Sequence, residues 1–485
     1  MRVLENISPK RVFYYFEEIC SVPHGSGNTK IISDKLKGMA LSLGCECIQD
    51  ELNNLIIKKG ASAGYESCAP VILQGHMDMV CTKEDGIDKD MTKDGLDLIV
   101  NGDWLSAKGT SLGGDDGIAV AIAFAILEDE TLKHPPIEVI VTVDEEVGMD
   151  GAFGIDLSSV KGRRLLNIDS EEEGVFTASC AGGLRADCTI PAVKEKAEGI
   201  SKFSVEIGGL IGGHSGCEIE KGRGNANKLM ARVLFEATKE LESLRLCEYK
   251  GGQFDNVICP FCVAEIAVDK SQEKNFEEYI AKMDAILKAE YATADPGVYV
   301  KCSVIDANEV KAFTREDSKR ILTALFVLPQ SVIEMSMDIK GLPQTSLNLG
   351  VINTKDNSVD FSYSIRSSIG SQKMMVLDRV VAIVEMAGGN VSTRGMYPGW
   401  AFNRDSKFRN TLAEVFKRLN GYDAKISATH GGLECGLFID KLPGLDCVSI
   451  GPDLRDIHSC GEKLSIASVE RLYKLIVEFL AALKD

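Results

Sequence analysis

Residues 71–80 have the sequence VILQGHMDMV, in which an apolar run leads directly into a His-x-Asp pair. The apolar run predicts a buried β-strand, and residues two apart in a strand point to the same side. His76 and Asp78 therefore share one face, the geometry in which a carboxylate orients a metal-binding imidazole. Taken alone, so short a pattern favours an ordinary hydrogen-bonded strand histidine, and the rest of the chain has to distinguish the two interpretations.

Further apolar runs alternate with helical segments along the chain. Strand-like runs occur at 137–143, 165–168 and 447–450, and a helix-like segment at 118–128 precedes the first of them. This alternation predicts an α/β core with a mostly parallel central sheet flanked by helices. Ligand sites in such sheets form beyond the carboxyl ends of the strands. Here each run ends in polar, glycine-containing sequence, where such a site belongs.

The central part of the chain has a different character. With 485 residues, the chain exceeds the size at which one hydrophobic core stops growing. Strand alternation mixed with long amphipathic helices separates a discontinuous core domain, residues 1–186 and 399–485, from an inserted α+β domain, residues 187–398. Similar strand patterns at 203–207 and 359–365 are compatible with an internal duplication.

Composition excludes several classes of function. The formal net charge of −18 opposes binding to nucleic acid and to anionic lipid surfaces. No apolar segment approaches the roughly 20 residues that span a bilayer, and the N-terminal residues lack the apolar region of a secretory signal. The 15 cysteines are spread along the chain as in proteins of a reducing compartment. We therefore expect a cytoplasmic protein without nucleic-acid or membrane partners.

Acidic and histidine-containing segments follow the predicted strands and precede one predicted helix. They are GGDDG at 113–117, DEEVG at 144–148, Asp169 and His458. Each has an ordinary explanation, such as a helix cap, a solvated acidic loop or a structural histidine. Together with His76 they offer two histidines and at least three carboxylates, the ligand inventory of a dinuclear metal site. Nitrogen and oxygen donors without a thiolate favour two Zn²⁺ ions, with Mn²⁺ or Co²⁺ as alternatives.

Taken in order, these segments resemble the zinc-dependent family of aminoacylases and cytosolic dipeptidases. Further motifs resemble one branch of that family, the aminoacyl-histidine dipeptidases, also called Xaa-His dipeptidases or cytosolic carnosinases of bacteria. Those motifs are GHSG at 213–216, GNANK at 224–228, YPGW at 397–400 and HGGLECGL at 430–437. The resemblance extends over nearly the whole chain. It implies a di-zinc peptidase core, an inserted lid that binds substrate and, at the level of the family, a homodimer.

The resemblance also implies the metal ligands. His76 and Asp169 would hold one zinc ion, and Glu146 and His458 would hold the other. Asp115 would bridge the two ions, although its acidic neighbour leaves open which aspartate of the pair does so.

The resemblance further implies the groups that act on the substrate. Glu145 would be the general base that takes a proton from a metal-bridged water, and Asp78 would orient His76. The candidates for substrate binding are His214, Arg366, Asn348, His430 and Glu434. His214 would contact the oxyanion or the substrate carboxylate, and Arg366 would bind the C-terminal carboxylate through paired hydrogen bonds. A surface-loop histidine and a surface salt bridge are the alternatives for these two residues.

We therefore predict metal-dependent hydrolysis of the peptide bond of unblocked dipeptides, including Xaa-His substrates. An N-acyl amino-acid deacylase or a tripeptidase would use the same metal chemistry and is the main alternative. A metal-binding protein without catalysis would lack a ligand or the base, and the sequence lacks neither.

Overall fold

The computed structural model describes residues 2–484. The chain forms two compact units. The first comprises the residues up to Ser179, Phe402–Ala428 and the residues from Leu433 onward, and the second comprises Cys180–Ala401 and Thr429–Gly432. The boundaries expected from the sequence, at 186/187 and 398/399, lie a few residues away from these, and the short return at 429–432 is not part of that expectation.

Helices occur over the described residues in this chain order: α1 (Lys10–Cys20), α2 (Lys30–Ser42), α3 (Gly114–Glu128), α4 (Asp150–Gly154), α5 (Ala226–Glu240), α6 (Glu273–Glu290), α7 (Arg315–Val327), α8 (Gly370–Met386), α9 (Lys407–Asn420), α10 (Glu434–Lys441) and α11 (Ile466–Ala482). Short 3₁₀ helices lie at Ile219–Lys221 and Lys270–Gln272.

Strands occur in this chain order: β1 (Glu46–Gln49), β2 (Leu55–Lys59), β3 (Val71–His76), β4 (Leu98–Asn101), β5 (Trp104–Ala107), β6 (Ile137–Thr142), β7 (Arg164–Asn167), β8 (Val175–Cys180), β9 (Gly182–Pro191), β10 (Lys194–Ala197), β11 (Ile200–Gly208), β12 (Gly213–His214), β13 (Arg245–Gly251), β14 (Val257–Ile258), β15 (Cys262–Asp269), β16 (Tyr299–Ile305), β17 (Val310–Phe313), β18 (Ser331–Met335), β19 (Pro343–Thr354), β20 (Ser358–Ser367), β21 (Asn390–Tyr397), β22 (Lys425–Thr429), β23 (Asp446–Ser449), β24 (Leu454–Arg455) and β25 (Lys463–Ser465).

The first unit is built on an eight-stranded sheet with the order β1-β2-β6-β3-β7-β23-β8-β22. Its central strands β6, β3, β7 and β23 run parallel. By contrast, β1, β2 and β8 join the sheet through antiparallel pairs. The predicted α/β fold is confirmed, and the sheet is mixed, with its parallel part in the centre. Strands β3 and β6 are buried along their whole length, as continuous apolar runs in a covered sheet require.

Helix α3 lies in the core of the first unit. Every residue of 118–127 is buried, so this helix is apolar on all sides, as an enclosed helix must be. Helix α1 packs against it, and the rings of Tyr15 and Phe124 are 5.5 Å apart. At the start of α3, Asp115 and Asp116 have non-helical backbone angles, and the regular helix follows them. The buried helix thus holds the two aspartates at a fixed place beside the sheet.

The second unit is built on a nine-stranded antiparallel sheet with the order β16-β11-β15-β13-β19-β20-β9-β21, in which β18 also pairs with β19. The sheet consists of two βαββαβ halves. One half runs β11-α5-β13-β15-α6-β16, and the other runs β9-α7-β19-β20-α8-β21 with the first half inserted after β9. Both halves arrange their strands in the order fourth, first, third, second, and they join through their second strands, β13 and β19.

This arrangement is an internal duplication, but the sequence patterns noted above do not mark equivalent strands. Those at 203–207 and 359–365 fall in β11 and β20, which are the first strand of one half and the third strand of the other. The pairing of β9 with β20 and β21 also explains why the second unit begins before residue 187. The backbone N–H of Ala181 donates to the carbonyls of Thr429 and Gly431, which ties 429–432 to the same unit.

Within the described range, none of the helices combines the length and the apolar character needed to cross a bilayer.

Candidate dinuclear metal site

Four adjacent parallel strands of the first unit lead to the predicted metal-binding residues. Strand β3 ends at His76, and β6 leads into Glu145 and Glu146. Strand β7 leads into Asp169, and β23 precedes the β24–β25 hairpin whose loop carries His458. Because the carboxyl ends of parallel strands meet at the same edge of a sheet, the strand order by itself brings these side chains together.

The predicted ligands face one another at short distances. His76 Nε2 lies 3.3 Å from Asp115 Oδ1 and 3.7 Å from Asp169 Oδ1. His458 Nε2 lies 3.3 Å from Asp115 Oδ2 and 3.0 Å from Glu146 Oε2. Asp115 therefore lies between the two histidines, with one carboxylate oxygen facing each of them.

Asp116 occupies a different position from its neighbour. It is buried, and its Oδ2 accepts a hydrogen bond from the backbone N–H of His76 at 3.2 Å. Burial raises its pKa well above the ordinary value. Donor atoms of Asp116 also come within 4.8 Å of those of His76 and Asp169. The aspartate that contacts both histidines is nevertheless Asp115.

The ring of His76 has a defined tautomer. Its Nδ1 lies 2.9 Å from the backbone oxygen of Asp78 and donates to it, so Nε2 is the ring atom that faces the cluster and would bind a metal ion. The Asp78 carboxylate is 3.4 Å from the same nitrogen, accepts the hydroxyl of Ser26 at 2.8 Å and accepts the N–H of Glu145 at 3.2 Å. Asp78 thus orients His76 chiefly through its carbonyl, while its carboxylate fixes the turn that carries Glu145.

The Glu145 carboxyl is largely withdrawn from water and surrounded by other acids. Burial, with repulsion from Asp169, Glu434 and Glu146, raises its pKa to about 9 despite the opposing effect of His76. A cation placed nearby would favour the carboxylate form and lower this pKa. Glu145 is therefore a group whose proton affinity depends on what the neighbouring site holds.

The electrostatics of the cluster fit a pair of cations. Burial, with repulsion from Asp115, raises the pKa of Asp169 to about 7. Hydrogen bonds to Asp115 and Glu146 raise the pKa of His458 to about 10. Glu146 Oε1 is buried, and no group among the described residues hydrogen-bonds to it. Divalent ions would relieve both the repulsion among the acids and the unpartnered oxygen, so the residues present fit a dinuclear metal centre.

His214 lies in the second unit, at the end of the short strand β12. Its Nδ1 accepts hydrogen bonds from the backbone N–H groups of Gly216 and Cys217, at 3.3 and 3.2 Å. The ring proton is therefore on Nε2. Burial and the guanidinium of Arg366 lower the pKa of His214, which makes it a neutral N–H donor at neutral pH.

Arg366 also lies in the second unit, on β20, where it is buried rather than exposed. Its Nη1 donates to the hydroxyl of Tyr397 at 3.1 Å, and its Nε is buried without a hydrogen-bond partner in the described chain. His430 Nε2 lies 2.7 Å from the hydroxyl of Ser346, and burial together with Arg366 lowers the pKa of His430 to about 4. The surface salt bridge considered for Arg366 does not form, because no acid of the described residues pairs with it.

The predicted substrate-binding residue Asn348 is fully hydrogen-bonded within the second unit of this structure. It is buried, and its amide makes four hydrogen bonds of 2.8–3.1 Å. The partners are the side chains of Asn225 and Gln330 and the backbone carbonyls of Asp255 and Val257. These bonds use every donor and acceptor position of an amide side chain, so the role of Asn348 is to hold the 255–257 segment against β19.

Glu434 does not line a surface either. It begins α10 in the first unit, and the residue is 0% exposed. Its Oε2 accepts hydrogen bonds from Gln74 Nε2 at 2.6 Å and from Thr142 Oγ1 at 2.9 Å, and burial raises its pKa to about 7. Because Gln74 precedes His76 by two residues on β3, Glu434 contacts this strand one pleat before the metal-site residue His76.

A cavity of about 350 Å³ adjoins Glu146 in the first unit. Its lining is mostly apolar and includes Met79, Val80, Met91 and Val147. Methionine side chains are flexible and polarizable, and they adapt to neighbours of different shape. The cavity can therefore accept apolar groups of several sizes next to the candidate metal site.

The comparisons with known proteins agree with this geometry. The profile of the M20 peptidase dimerisation domain matches residues 205–295. The chain is 37% identical over 481 residues to the cytosol non-specific dipeptidase of Escherichia coli (strain K12), and the match covers 99% of each protein. The chain belongs to the M20 metallopeptidase family. An M20 structure, the aminoacylhistidine dipeptidase from Vibrio alginolyticus, has 36% identity and a TM-score of 0.94, with 99% of this chain and 98% of that one covered.

A structure with much lower sequence identity shares the fold. The aminopeptidase PepT from Bacillus cereus is 15% identical, with a TM-score of 0.58 over 99% of this chain and 100% of that chain. The M20 dimerisation profile spans residues of β11 through α6, which belong to the first βαββαβ half of the second unit. The other half has the same strand order and lies outside the matched residues.

Two features of this M20 chain are missing from the sequence analysis. Cys259 and Cys262 have Cys-x-x-Cys spacing, but both thiols are buried, and burial raises the pKa of Cys259 to about 11 and that of Cys262 well above its usual value. Neither is a metal-binding thiolate. Glu462 is a buried acid four residues after His458. Only its hydrogen bonds, which involve residues far away in sequence, distinguish it from a surface glutamate.

Proposed function

We propose that this M20 enzyme hydrolyses the peptide bond of unblocked dipeptides, including Xaa-His substrates, by means of two divalent cations. The observation that carries the proposal is the position of Asp115 between His76 and His458, at 3.3 Å from each. Support also comes from the two relatives of matching length, which are named as dipeptidases.

Two zinc ions would be held by the five residues that converge in the first unit. His76 and Asp169 would serve one ion, Glu146 and His458 the other, and Asp115 both. The ions supply Lewis-acid polarisation of the peptide carbonyl and lower the pKa of a bound water. The nitrogen and oxygen donors favour zinc, and Mn²⁺ or Co²⁺ would suit the same ligands.

Glu145 would be the general base. Its carboxylate takes a proton from the attacking water and delivers it to the amine nitrogen as the C–N bond breaks. The hydrogen bond from its backbone N–H to Asp78 fixes the turn on which it sits, and the same Asp78 holds His76. The base and one ligand therefore share a support, which keeps their relative position constant during the proton transfers.

Two groups of the second unit would recognise the substrate. Arg366, held by Tyr397 and with an unpartnered Nε, offers a fork of N–H donors to the C-terminal carboxylate. The Nε2–H of His214 would donate to the carbonyl oxygen as it gains negative charge. His430, with a pKa of about 4, stays neutral and adds no competing charge. Asn348 and Glu434 are not part of this proposal.

The methionine-lined cavity beside Glu146 would receive a side chain of the substrate. An adaptable apolar lining accepts residues of different size with little selectivity, since a methylene more or less in such a pocket changes binding by about 1–3 kcal/mol. We infer a preference for apolar residues at this position rather than for a single amino acid.

A panel of dipeptides, assayed with and without a chelator, tests the proposal. Hydrolysis of free dipeptides that stops with EDTA and returns with Zn²⁺ is the expected result. Cleavage that continues in EDTA, or cleavage only of N-acetylated amino acids or of tripeptides, would contradict it and would favour the deacylase or tripeptidase alternative.

Two further parts of the proposal concern the protein in the cell. We propose a homodimer, supported by the match to a peptidase dimerisation domain, and light scattering should give twice the chain mass of 52.6 kDa. We also propose a cytoplasmic location, supported by free cysteines and by the name of the Escherichia coli relative. Fractionation of the native host measures the location directly.

A further inference from the structure

Glu462 accepts hydrogen bonds from four consecutive backbone N–H groups. Its Oε2 accepts from Leu112 and Gly113, at 2.8 and 3.2 Å. Its Oε1 accepts from Gly114 and Asp115, at 2.8 and 3.4 Å. The residue is 2% exposed, so these bonds replace water around a buried carboxylate. One side chain thus provides the hydrogen-bond acceptor for all four backbone N–H groups of the turn that leads into α3.

The two glycines of this turn allow the arrangement. Gly113 has a φ of 65°, in the left-handed region that favours glycine, and successive N–H groups can then point at one acceptor. A Cβ at Gly114 would lie 2.8 Å from Leu454 Cδ2. The Gly-Gly pair before Asp115 is therefore required by the close approach of the β24–β25 hairpin and its carboxylate.

Glu462 lies in the same hairpin loop as His458. Asp115 Oδ2 is 3.3 Å from His458 Nε2, and Asp115 N is 3.4 Å from Glu462 Oε1. The turn and the loop consequently touch at two points, once through the proposed ligands and once through Glu462. His458 has a φ of 60°, so the loop holds it in a strained conformation that a displaced loop would release.

We propose that Glu462 is a positioning residue that sets the separation of Asp115 and His458 and thereby the affinity of the cation held by Glu146 and His458. The proposal rests on the dinuclear site proposed above. Metal–ligand distances in well-formed sites stay within about 0.2 Å of their usual values. A support that fixes two ligands from different segments therefore controls the affinity without touching the ion.

Metal titration of Glu462→Gln by calorimetry tests the proposal. The amide keeps the size of the side chain but turns an N–H donor toward the N–H groups of the turn. We expect the apo variant to bind the Zn²⁺ of Glu146 and His458 about 10–100-fold more weakly, the usual effect of losing a group that supports a ligand, and the other Zn²⁺, which shares only Asp115 with this support, with a smaller loss. With dipeptide as substrate, kcat should fall while KM changes little.

The matched control is Glu470→Gln, on the exposed face of α11, which should bind both ions like the wild type. Glu462→Asp keeps the charge but shortens the reach, so it should also weaken the second ion, and it serves if the amide variant does not fold. If either Glu462 variant binds both Zn²⁺ ions with the affinities of the wild type, the proposal is overturned, even if the melting temperature of the variant falls.

The titration also separates this proposal from the proposed function. A wild-type protein that binds two ions but cleaves no dipeptide contradicts the function alone, and the Glu462 variants can still be titrated. A wild-type protein that binds fewer than two ions contradicts both.

Discussion

At the scale of single residues, the site depends on side chains that each make one defined contact. Asp115 reaches both histidines because its two oxygens point in different directions, and Asp116, one residue later, is directed into the core instead. Two adjacent aspartates thus have different surroundings, one inside the ligand cluster and one beneath it. Local backbone direction, rather than residue type, separates their roles.

The general base gives the first prediction. Glu145→Gln should lower kcat by about 10²–10⁴-fold, because the amide cannot accept the proton of the attacking water. Calorimetric titration should still show two bound metal ions, since Glu145 is not among the proposed ligands. Glu172→Gln, an exposed acid after β7, is the control and should retain full activity. A Glu145→Gln enzyme with wild-type kcat would refute the assignment.

The second prediction concerns recognition of the substrate carboxylate. Arg366→Lys should raise KM about 10–100-fold with a smaller effect on kcat, because an ammonium group cannot reproduce the paired hydrogen bonds of a guanidinium. The measurement compares a dipeptide with its C-terminal amide, and the preference for the free acid should shrink in the variant. Arg379→Lys, exposed on α8, should leave that preference unchanged. An undiminished preference in Arg366→Lys would exclude the contact.

The third prediction is a pH dependence of stability. Burial and Arg366 lower the pKa of His430 from 6.5 to about 4. Between these values the unfolded chain binds the proton and the folded chain does not, so the free energy of unfolding falls as the pH is lowered from 6.5 to 4. The difference between the two pKa values corresponds to about 3 kcal/mol. Urea unfolding at several pH values should show a steeper loss for the wild type than for His430→Asn, and equal slopes would contradict the assignment.

Single-residue chemistry is the part of the site for which the sequence gives the most direct signal. The ligand candidates are recognisable because histidines and acids follow apolar runs, which is a local pattern. Asn348 shows the limit of that reasoning. Its four hydrogen-bond partners come from distant parts of the chain. Whether its side-chain amide is fully hydrogen-bonded therefore depends on tertiary structure. The role of Glu462 depends on tertiary structure in the same way, since its partners at 112–115 are about 350 residues away.

At the scale of elements, the packing of β3 against α3 supports the site from below. A Cβ at Gly75 would lie 2.7 Å from the Cβ of Ala119 and closer still to Asp116 Oδ2. At this position the strand approaches the helix more closely than a residue with a side chain would allow, so glycine is required. This close approach places the end of β3, with His76, beside the start of α3, with Asp115.

The fourth prediction follows from this packing. Gly75→Ala should destabilise the protein by about 1–3 kcal/mol, the usual cost of an extra methyl group in a filled core, and should weaken metal binding by moving His76. Gly38→Ala, in α2 with open space around it, should be neutral or slightly stabilising. Urea unfolding and metal titration of both variants provide the measurements. A Gly75→Ala protein with unchanged stability and affinity would contradict this account.

The sequence predicts the central elements of the first unit within a few residues. The apolar runs at 137–143 and 165–168 correspond to β6 and β7, because a buried parallel strand needs continuous apolar sequence. The antiparallel strands of the sheet cannot be predicted in this way, because the direction of a strand relative to its neighbour depends on the connections between strands. The duplication of the second unit cannot be predicted in this way either, since it is defined by the order in which the strands pair.

At the scale of the whole molecule, the chain divides the proposed tasks between its two units. The candidate metal site lies wholly in the first unit, and Arg366 and His214 lie wholly in the second. The second unit is itself a pair of βαββαβ halves joined by β13 and β19. The division into two units and the pairing of the two halves cannot be predicted from composition. Both depend on which strands pair across more than a hundred residues of sequence.

The fifth prediction uses this division. Because every proposed metal ligand belongs to the first unit, removal of zinc should destabilise that unit and leave the second nearly unchanged. Metal present at a hundred times its Kd stabilises the protein that binds it by about 2.7 kcal/mol, which for a unit of this size corresponds to about 5–10 °C in Tm.

The chain has two tryptophans, Trp104 in the first unit and Trp400 in the second. The variants Trp400→Phe and Trp104→Phe therefore report the fluorescence melting of each unit separately. With EDTA, the Trp104 signal should melt several degrees earlier and recover on addition of Zn²⁺, while the Trp400 signal stays within about 1 °C. Equal shifts of both signals, or no shift of the Trp104 signal, would contradict this expectation.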